Sequence, residues 1–396
     1  MRDRDAARYR LGDRRYRRRP QPPRHRGPWG RRPIVTSDTI QEAPRQAGLR
    51  RALAPLVVLA LALSLTACGS SADDRPASGQ QPGGFPISVT HAHGETVIPS
   101  TPERVVVLGG SAEDAVAALG VVPVAVPEEY GTPDGYTDWF REHVTVELGA
   151  ELPPVLSPGK DGVYDPEEIL SYAPDLIFAP YSGITEAEYQ QLSDIAPTIA
   201  YARTPWTYGS WSDIVELAGT ALGRSDQAAE LISRTQAAVD SARDAHAQLE
   251  GRSFIFGEWL EDGSSDLAVY SPDDPRPTLL REFGMTDDPS VAQEVGSFGE
   301  DYYGSVSLER LDALTTDVFI GWSNSREKIA QTLAHPLMSR WAPIAEGRYY
   351  YLEDPELLIA VTTPSVLSVP WAIQHGFLDD ITSALEADAM VRTGGE

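Results

Sequence analysis

Two stretches of this 396-residue chain repeat one another position by position. Asp165, Glu167, Ile169, Tyr172, Asp175 and Ile177 recur as Ser307, Glu309, Leu311, Leu314, Asp317 and Phe319, each displaced by 142 residues. Asp165 and Ser307 are good N-caps, and Pro166 suits a first helical position. Each copy then carries a glutamate in the first turn of its helix. An aspartate follows just before an apolar run, Leu176-Ile177-Phe178 in one half and Val318-Phe319-Ile320 in the other. Continuous apolar runs suit strands buried on both faces of a parallel sheet. A helix-to-strand unit built twice predicts two α/β lobes.

The flanking sequence extends this pattern. Ile87 to Ile98 alternates around His93-Gly94-Glu95, as a hairpin does. Strands are predicted at Val105–Leu108, Pro123–Val126, Asp175–Phe178 and Thr198–Tyr201, with helices at Glu113–Leu119, from Glu167 and near Glu188. In the second half the strands are Phe254–Phe256, Asp317–Ile320 and Tyr349–Leu352. A helix is predicted over Thr278–Phe283, and Ser365–Leu385 reads as largely helical with a kink or break at Pro370. Alternating strand and helix is the α/β signature. Between the halves, Trp211, Ile214, Val215, Ala218 and Leu222 keep helical spacing up to Gly223. Asp226 to Leu249 then runs without Gly or Pro, a helix of roughly 36 Å that would brace two lobes at a nearly fixed angle.

The only cysteine, Cys68, follows Leu65-Thr66-Ala67 at the end of an apolar run flanked by Arg50 and Arg51. That arrangement resembles a bacterial lipoprotein signal, in which the acylated cysteine becomes the mature N-terminus. The run falls short of the about 20 apolar residues that span a bilayer. A lone lipidated cysteine leaves no thiol for a disulfide, a thiolate metal site or a nucleophile. Residues 1–67 hold 16 Arg and 5 Asp/Glu, so from Cys68 onward 17 basic residues face 53 acidic ones, a net charge near −36. Such a field disfavours nucleic acid and anionic lipid. The expected organisation is a basic extension and signal n-region (1–51), an h-region with lipobox (52–67), a lipidated cysteine with a flexible tether (68–85), an N-terminal lobe (86–210), linker helices (211–250) and a C-terminal lobe (251–396).

The ordered set Pro102-Glu103-Arg104-Val105-Val106-Val107-Leu108, Leu119-Gly120-Val121-Val122-Pro123, Asp165-Pro166-Glu167-Glu168-Ile169, Ala173-Pro174-Asp175-Leu176-Ile177 and Leu192-Ser193-Asp194-Ile195-Ala196-Pro197 resembles the binding proteins of iron–siderophore and cobalamin ABC importers. The likeness covers nearly everything from Thr96 onward. It implies two Rossmann-like lobes, each a mainly parallel sheet with flanking helices, joined by one long α-helix with a ligand cleft between them. It further implies a monomeric lipoprotein on the extracytoplasmic face of the cell membrane, which captures a ferric siderophore and hands it to a permease dimer. One glutamate per lobe, here Glu167 and Glu309, would meet the permease.

A siderophore saturates its iron, so such a protein reads the outside of a finished complex, with aromatic rings for apolar faces and Arg for oxygens. In open α/β sheets ligands sit beyond the carboxyl ends of strands. Those positions offer Gly110, Ser111, Tyr130, Tyr181, Arg203, Trp206, Trp259 and Trp322. No cofactor is expected, nor a direct metal site. His91 and His93 are expected as exposed hairpin residues, and the pairs Asp273-Asp274 and Asp287-Asp288 as solvated turns. Haem, cobalamin and ferric citrate remain alternative ligands. The competing class is a secreted α/β hydrolase, but the chain lacks a Gly-x-Ser-x-Gly elbow, a Walker motif and a Gly-x-Gly-x-x-Gly loop, so no enzyme is expected.

Overall fold

The structure, a computed structural model, describes residues 84–393 except 130, 160, 161, 297 and 299–301, with side chains through 387. Cys68, the h-region, the tether and Tyr130 lie outside the described residues. None of the described helices is long and apolar enough to cross a membrane.

The described chain opens with β1 (Ile87–His91) and β2 (Gly94–Ile98), paired antiparallel. Strand alternation turns Val89, His91, Thr96 and Ile98 inward. The hairpin histidines are therefore packed, contrary to the expectation of exposure. His91 Nε2 hydrogen-bonds Thr96 Oγ1 at 2.9 Å, and His93 stacks on Tyr189 with centroids 5.2 Å apart. The Thr96 hydroxyl in turn donates to the carbonyl of Thr198, which fastens the hairpin to the first sheet.

That sheet contains β3 (Val105–Val107), β4 (Val126–Pro127), β5 (Val155–Leu156), β6 (Leu176–Phe178) and β7 (Thr198–Ile199). β3, β6 and β7 pair in parallel, and a parallel bridge from Val106 to Ala125 attaches the β4–β5 pair. Around it lie α1 (Ala112–Ala118), α2 (Asp138–Glu142), α3 (Pro166–Ser171) and α4 (Glu186–Ser193). The second sheet has the order β11 (Tyr303–Ser307), β9 (Asp266–Tyr270), β8 (Ser253–Glu258), β12 (Val318–Trp322), β13 (Tyr349–Leu352), and β10 (Thr286–Asp287) also pairs with β8. β8, β12, β13 and β10 run parallel, whereas β9 and β11 form an antiparallel edge. The sequence reading did not place that edge: β9 opens on exposed Asp266, and β11, Tyr-Gly-Ser-Val-Ser, buries only Val306.

The linker consists of α5 (Trp211–Ala221) and α6 (Ser225–Ala245). α6 spans about 31 Å. It stops four residues short of Leu249, where Ala247–Leu249 tightens into a 3₁₀ turn. The remaining helices belong to the second half: α7 (Pro275–Glu282), α8 (Pro289–Val295), α9 (Arg326–Ala334), α10 (Ala342–Ala345), α11 (Pro355–Thr362), α12 (Ser368–Gln374) and α13 (Phe377–Thr393). The predicted break at Pro370 falls instead at Gly376, φ 84°. Pro370 sits in the first turn of α12, where its missing N–H would have had no helical partner anyway.

One apolar cluster runs through both halves, from Val105 and Leu176 across Trp211, Val215 and Val239 to Phe254, Leu280 and Val369. A further cluster covers the other face of each sheet. The linker helices therefore share core with both sheets, and the Trp211 indole donates to Glu282 Oε2 on α7 at 2.8 Å.

Candidate ligand site between the sheets

The chain leaves β3 through Gly109-Gly110-Ser111, and this turn decides the geometry of the first half of the site. Gly109 has φ 87°, and a Cβ there would lie 1.8 Å from the Tyr181 carbonyl oxygen. Only glycine allows the ends of β3 and β6 to approach so closely. Tyr181, just past β6, is thereby held against Tyr208 and Trp206 in edge contacts, with centroids at 4.7 and 6.1 Å. Trp206 is 40% exposed and has φ 62°. A bulky residue in that left-handed region is strained, and such strain clusters at ligand clamps. Its amide donates to the Ser182 carbonyl, and its indole lies where a Cβ on Gly183 would stand.

The second sheet supplies the opposing wall. Arg276, 9% exposed, reaches both Asp274 carboxylate oxygens through Nη1 at 3.1 and 2.9 Å, and its guanidinium covers the Tyr270 ring at 4.2 Å. Burial disfavours the Asp274 carboxylate and the guanidinium beside it favours it, with a net upward shift of its pKa. The Tyr270 hydroxyl donates to Glu258 Oε1 and accepts from the Trp322 indole at 3.0 Å. Trp322 meets Trp259 edge-on at 4.9 Å, and Lys328 caps the Trp259 ring at 4.7 Å. Tyr302 stacks on Tyr270 at 6.3 Å. The two walls touch electrostatically: burial raises the pKa of Tyr181, and the nearby Arg276 charge opposes that rise.

A cavity of about 620 Å³ opens between the halves, with seven lining residues from 202–213, Arg203 and Tyr208 among them, and four from 271–302, including Asp274 and Tyr302. A larger cavity, about 810 Å³, lies among β13, Glu353, Asp354, Glu356, Trp371 and Asp380; of its lining only Asp138 precedes the linker. The smaller cavity is the better candidate. Residues from both halves form its walls, and it adjoins the aromatic and Arg readers.

A third group closes the site near α1. The segment Thr363–Ser365 meets the first half at three points. Thr363 Cγ2 lies 3.8 Å from a Cβ built on Gly110, the Tyr208 hydroxyl donates to the Pro364 carbonyl at 2.7 Å, and the Ser365 hydroxyl donates to Asp114 Oδ2. That same Asp114 oxygen accepts from the Trp139 indole at 2.7 Å. Burial pushes Asp114 up to about 7 against those two hydrogen bonds. Glu113, beside it, is raised well above the usual carboxylate range, by burial first and then by Asp114 and Glu129. Burial, with Glu113 and Glu129 nearby, pushes Tyr164 up to about 12.

Of the residues singled out by sequence, Tyr181 and Trp206 meet on one wall, Trp259 and Trp322 on the other, and Arg203 lines the cavity. Glu167 and Glu309 are both exposed, in the first turns of α3 and of the 3₁₀ segment Leu308–Ala313. Of the acidic pairs, only Asp273 is the exposed turn residue expected. Asp274 and Asp288 are buried N-caps of α7 and α8, and Asp287 pairs with Arg281 at 2.8 Å. Arg276, Tyr208, Tyr270, Tyr302 and Glu258 went unrecognised. Asp274-Pro275-Arg276 carried a usable signal, because Asp followed by Pro is a cap and first helical position, which places Arg276 in the opening turn after a strand. Among the described residues no group of three or more His, Cys, Asp or Glu is placed to hold a metal ion.

Residues 105–356 match the family described as "Periplasmic binding protein", and the chain belongs to that family. It is 26% identical over 299 residues to the Fe(3+)-citrate-binding protein YfmC of Bacillus subtilis (strain 168), covering 75% of this chain and 88% of that one. It is 28% identical over 232 residues to the probable siderophore-binding lipoprotein YfiY of the same organism, covering 58% and 65%. The crystal structure of Streptococcus pneumoniae TIGR4 PiaA in complex with ferrichrome superposes with a TM-score of 0.68 at 27% identity, over 76% of this chain and 99% of that one. Two α/β lobes flanking a cleft are thus the fold of the class as well as of this chain.

Proposed function

We propose that the protein is the extracytoplasmic binding subunit of an ABC importer, anchored at Cys68, which captures a ferric siderophore between lobes 86–210 and 251–396 and delivers it to a permease. The observation that carries this is one cavity walled by Arg203 and Tyr208 from the first half and by Asp274 and Tyr302 from the second, with Tyr181 packed on Tyr208 and Trp206 and with Arg276 bonded to Asp274 and laid over Tyr270. Aromatic faces suit the apolar shell of a chelate, and a fixed guanidinium suits its oxygens. The ferrichrome complex of PiaA and the names of YfmC and YfiY support the ligand class. Such a protein works by binding and release, so its ligand should leave the cleft chemically unchanged. Quenching of tryptophan fluorescence by ferric siderophores, with haem and cobalamin as comparators, tests this reading; saturable quenching only by haem or cobalamin overturns it.

Delivery is assigned to Glu167 and Glu309, one exposed carboxylate on each half. Glu167→Ala combined with Glu309→Ala should leave ligand affinity and folding intact while abolishing uptake, and Glu168→Ala should matter less. Normal uptake by the double variant overturns the docking assignment.

A further inference from the structure

The cavity of about 810 Å³ beside β13 shares no lining residue with the one between the halves. It follows an open strand edge. β13 ends the strand order of the second sheet, and among the described residues no strand pairs with its other side. The Phe319 amide donates to the Arg348 carbonyl at 3.1 Å, and Phe319 lies opposite Tyr349 in the parallel register. In a parallel ladder this turns the main chain of Tyr350 and Leu352 towards β12 and that of Tyr349 and Tyr351 away from it. Two amides and two carbonyls therefore lie along the outer edge. The cavity is lined from both faces of the strand. Ile329 and Leu333 of α9 stand on the face of Tyr349 and Tyr351, and Trp371 and Asp380 on the face of Tyr350. It thus runs along the edge rather than over one face.

An open edge is a template for another strand. Charge decides which strand. Asp138, Glu353, Asp354 and Asp380 line the cavity, and Arg326 pairs with Glu353 at 3.3 Å. Glu356 also lines it, but burial raises its pKa and it counts for less. Three of the carboxylates gather about one hydroxyl: Asp380 accepts from Tyr350, with Asp354 and Glu353 nearby, and burial together with these charges raises the Tyr350 pKa. Charged side chains can also serve simply to blunt an edge. Here they select, because four carboxylates repel a second copy of this acidic chain and attract a basic one.

We propose that β13 takes up an extended basic segment of a partner chain as a further strand of the second sheet. The backbone of the segment pairs with Tyr349 and Tyr351. Successive side chains of a strand point to opposite faces, so the segment alternates. Apolar side chains meet Ile329 and Leu333 on one face, and lysine or arginine meets Asp380 and Asp354 on the other. Main-chain hydrogen bonds supply affinity in such pairing, and the alternate side chains supply specificity. This docking leaves the cavity between the halves open, so it is independent of the ligand held there.

The probe is an end-capped, fluorescently labelled peptide of seven residues alternating lysine and valine, titrated into the protein by anisotropy. A second peptide of the same sequence carries N-methyl groups on alternate amides, which keeps its charge but removes the donors along one edge. The unmethylated peptide should bind about tenfold more tightly, the size of two lost backbone hydrogen bonds. Hydrogen exchange at the Tyr349 and Tyr351 amides should slow when it binds. Asp354→Asn combined with Asp380→Asn should weaken it by about tenfold at low salt; asparagine keeps the α11 cap and an acceptor for Tyr350. The comparison of the two peptides on the unsubstituted protein decides the matter even if that variant folds poorly. Equal binding of both peptides, no binding of either, unchanged exchange at the two tyrosine amides, or displacement of the peptide by a bound siderophore overturns the inference. So does a concentration-dependent dimer of the protein alone that the peptide dissociates, because a second copy would then hold the edge. None of these outcomes bears on the siderophore reading.

Discussion

Replacing Asp114 by asparagine should flatten the dependence of stability on pH, and the structure fixes both sign and size. Asp114 is held at about 7 in the folded protein against 3.8 for an unperturbed aspartate. The full difference corresponds to about 4 kcal/mol. Between those values the folded state keeps a proton that the unfolded chain releases. The contribution is therefore complete below pH 3.8 and lost as pH rises through about 7. Between pH 5 and pH 8 the loss amounts to about 3 kcal/mol. Glu113, also raised, acts in the same direction. His91 acts in the opposite one, since burial lowers its pKa from 6.5 and protonation costs stability as pH falls below that value. Asparagine keeps an oxygen for the Trp139 and Ser365 donors, and its amide replaces the oxygen that has no partner. Urea unfolding followed by tryptophan fluorescence at pH 5 and pH 8 gives the two stabilities for each protein. The unsubstituted protein should lose about 3 kcal/mol more between the two pH values than Asp114→Asn. An equal loss in both would refute the reasoning.

Gly183→Ala should push the Trp206 indole aside, because the new Cβ would stand 2.4 Å from its Nε1. The same fluorescence titration should show siderophore affinity down by about tenfold, and undiminished affinity would remove Trp206 from the site. Arg276→Ala leaves the Asp274 carboxylate, whose side chain is 0% exposed, without its cation; urea unfolding should register a loss of about 3–5 kcal/mol. Adding Asp274→Asn should recover much of that loss, and a double-mutant cycle with no coupling would contradict the pairing. Cys68→Ala should accumulate unprocessed precursor, which membrane fractionation and mass measurement of the N-terminus would reveal; normal processing of the variant would remove the lipid-anchor assignment.

The two-lobe fold was legible in the sequence because its strands are continuous apolar runs and its helices carry caps that can be named, as at Asp165-Pro166. β9 and β11 escaped because β9 opens on an exposed aspartate and β11 is interrupted by Gly304 and Ser305, so neither reads as a run of valines. The site was only half legible. Trp206, Trp259 and Trp322 stand out by side-chain size alone, whereas Arg276 depends on a neighbour two residues away and on a stacked ring from another strand. No spacing in the chain announces that Glu113 and Asp114 are buried. Acidic residues in a first helical turn normally face water and favour the helix dipole. Here the Gly109–Ser111 turn and the segment Thr363–Ser365 close over them, and that closure is a property of the tertiary structure.

The 142-residue echo separates what the fold demands from what it leaves over. Ile169 and Leu311 are core residues, as are Ile177 and Phe319. Asp175 receives the amides of Glu103 and Arg104 at 2.8 Å each, and Asp317 receives the amide of Ser253 at 2.8 Å. Each aspartate thus ties down the chain entering the first parallel strand of its lobe, β3 or β8, so its recurrence needs no further reason. Asp165 caps α3 through the Glu167 amide, but Ser307 makes no such bond. The glutamates remain. Both are exposed, and neither side chain makes an ion pair among the described residues. A helix dipole gives an acidic residue in the first turn about 0.3–1 kcal/mol. That gain belongs to aligned helical peptides, and Glu309 opens a six-residue 3₁₀ segment in which few peptides align. The helix-terminus explanation therefore weakens in the second lobe, although the glutamate is there all the same. A carboxylate that recurs where local structure rewards it least fits the docking role proposed for Glu167 and Glu309. A permease of two like halves offers a surface to each.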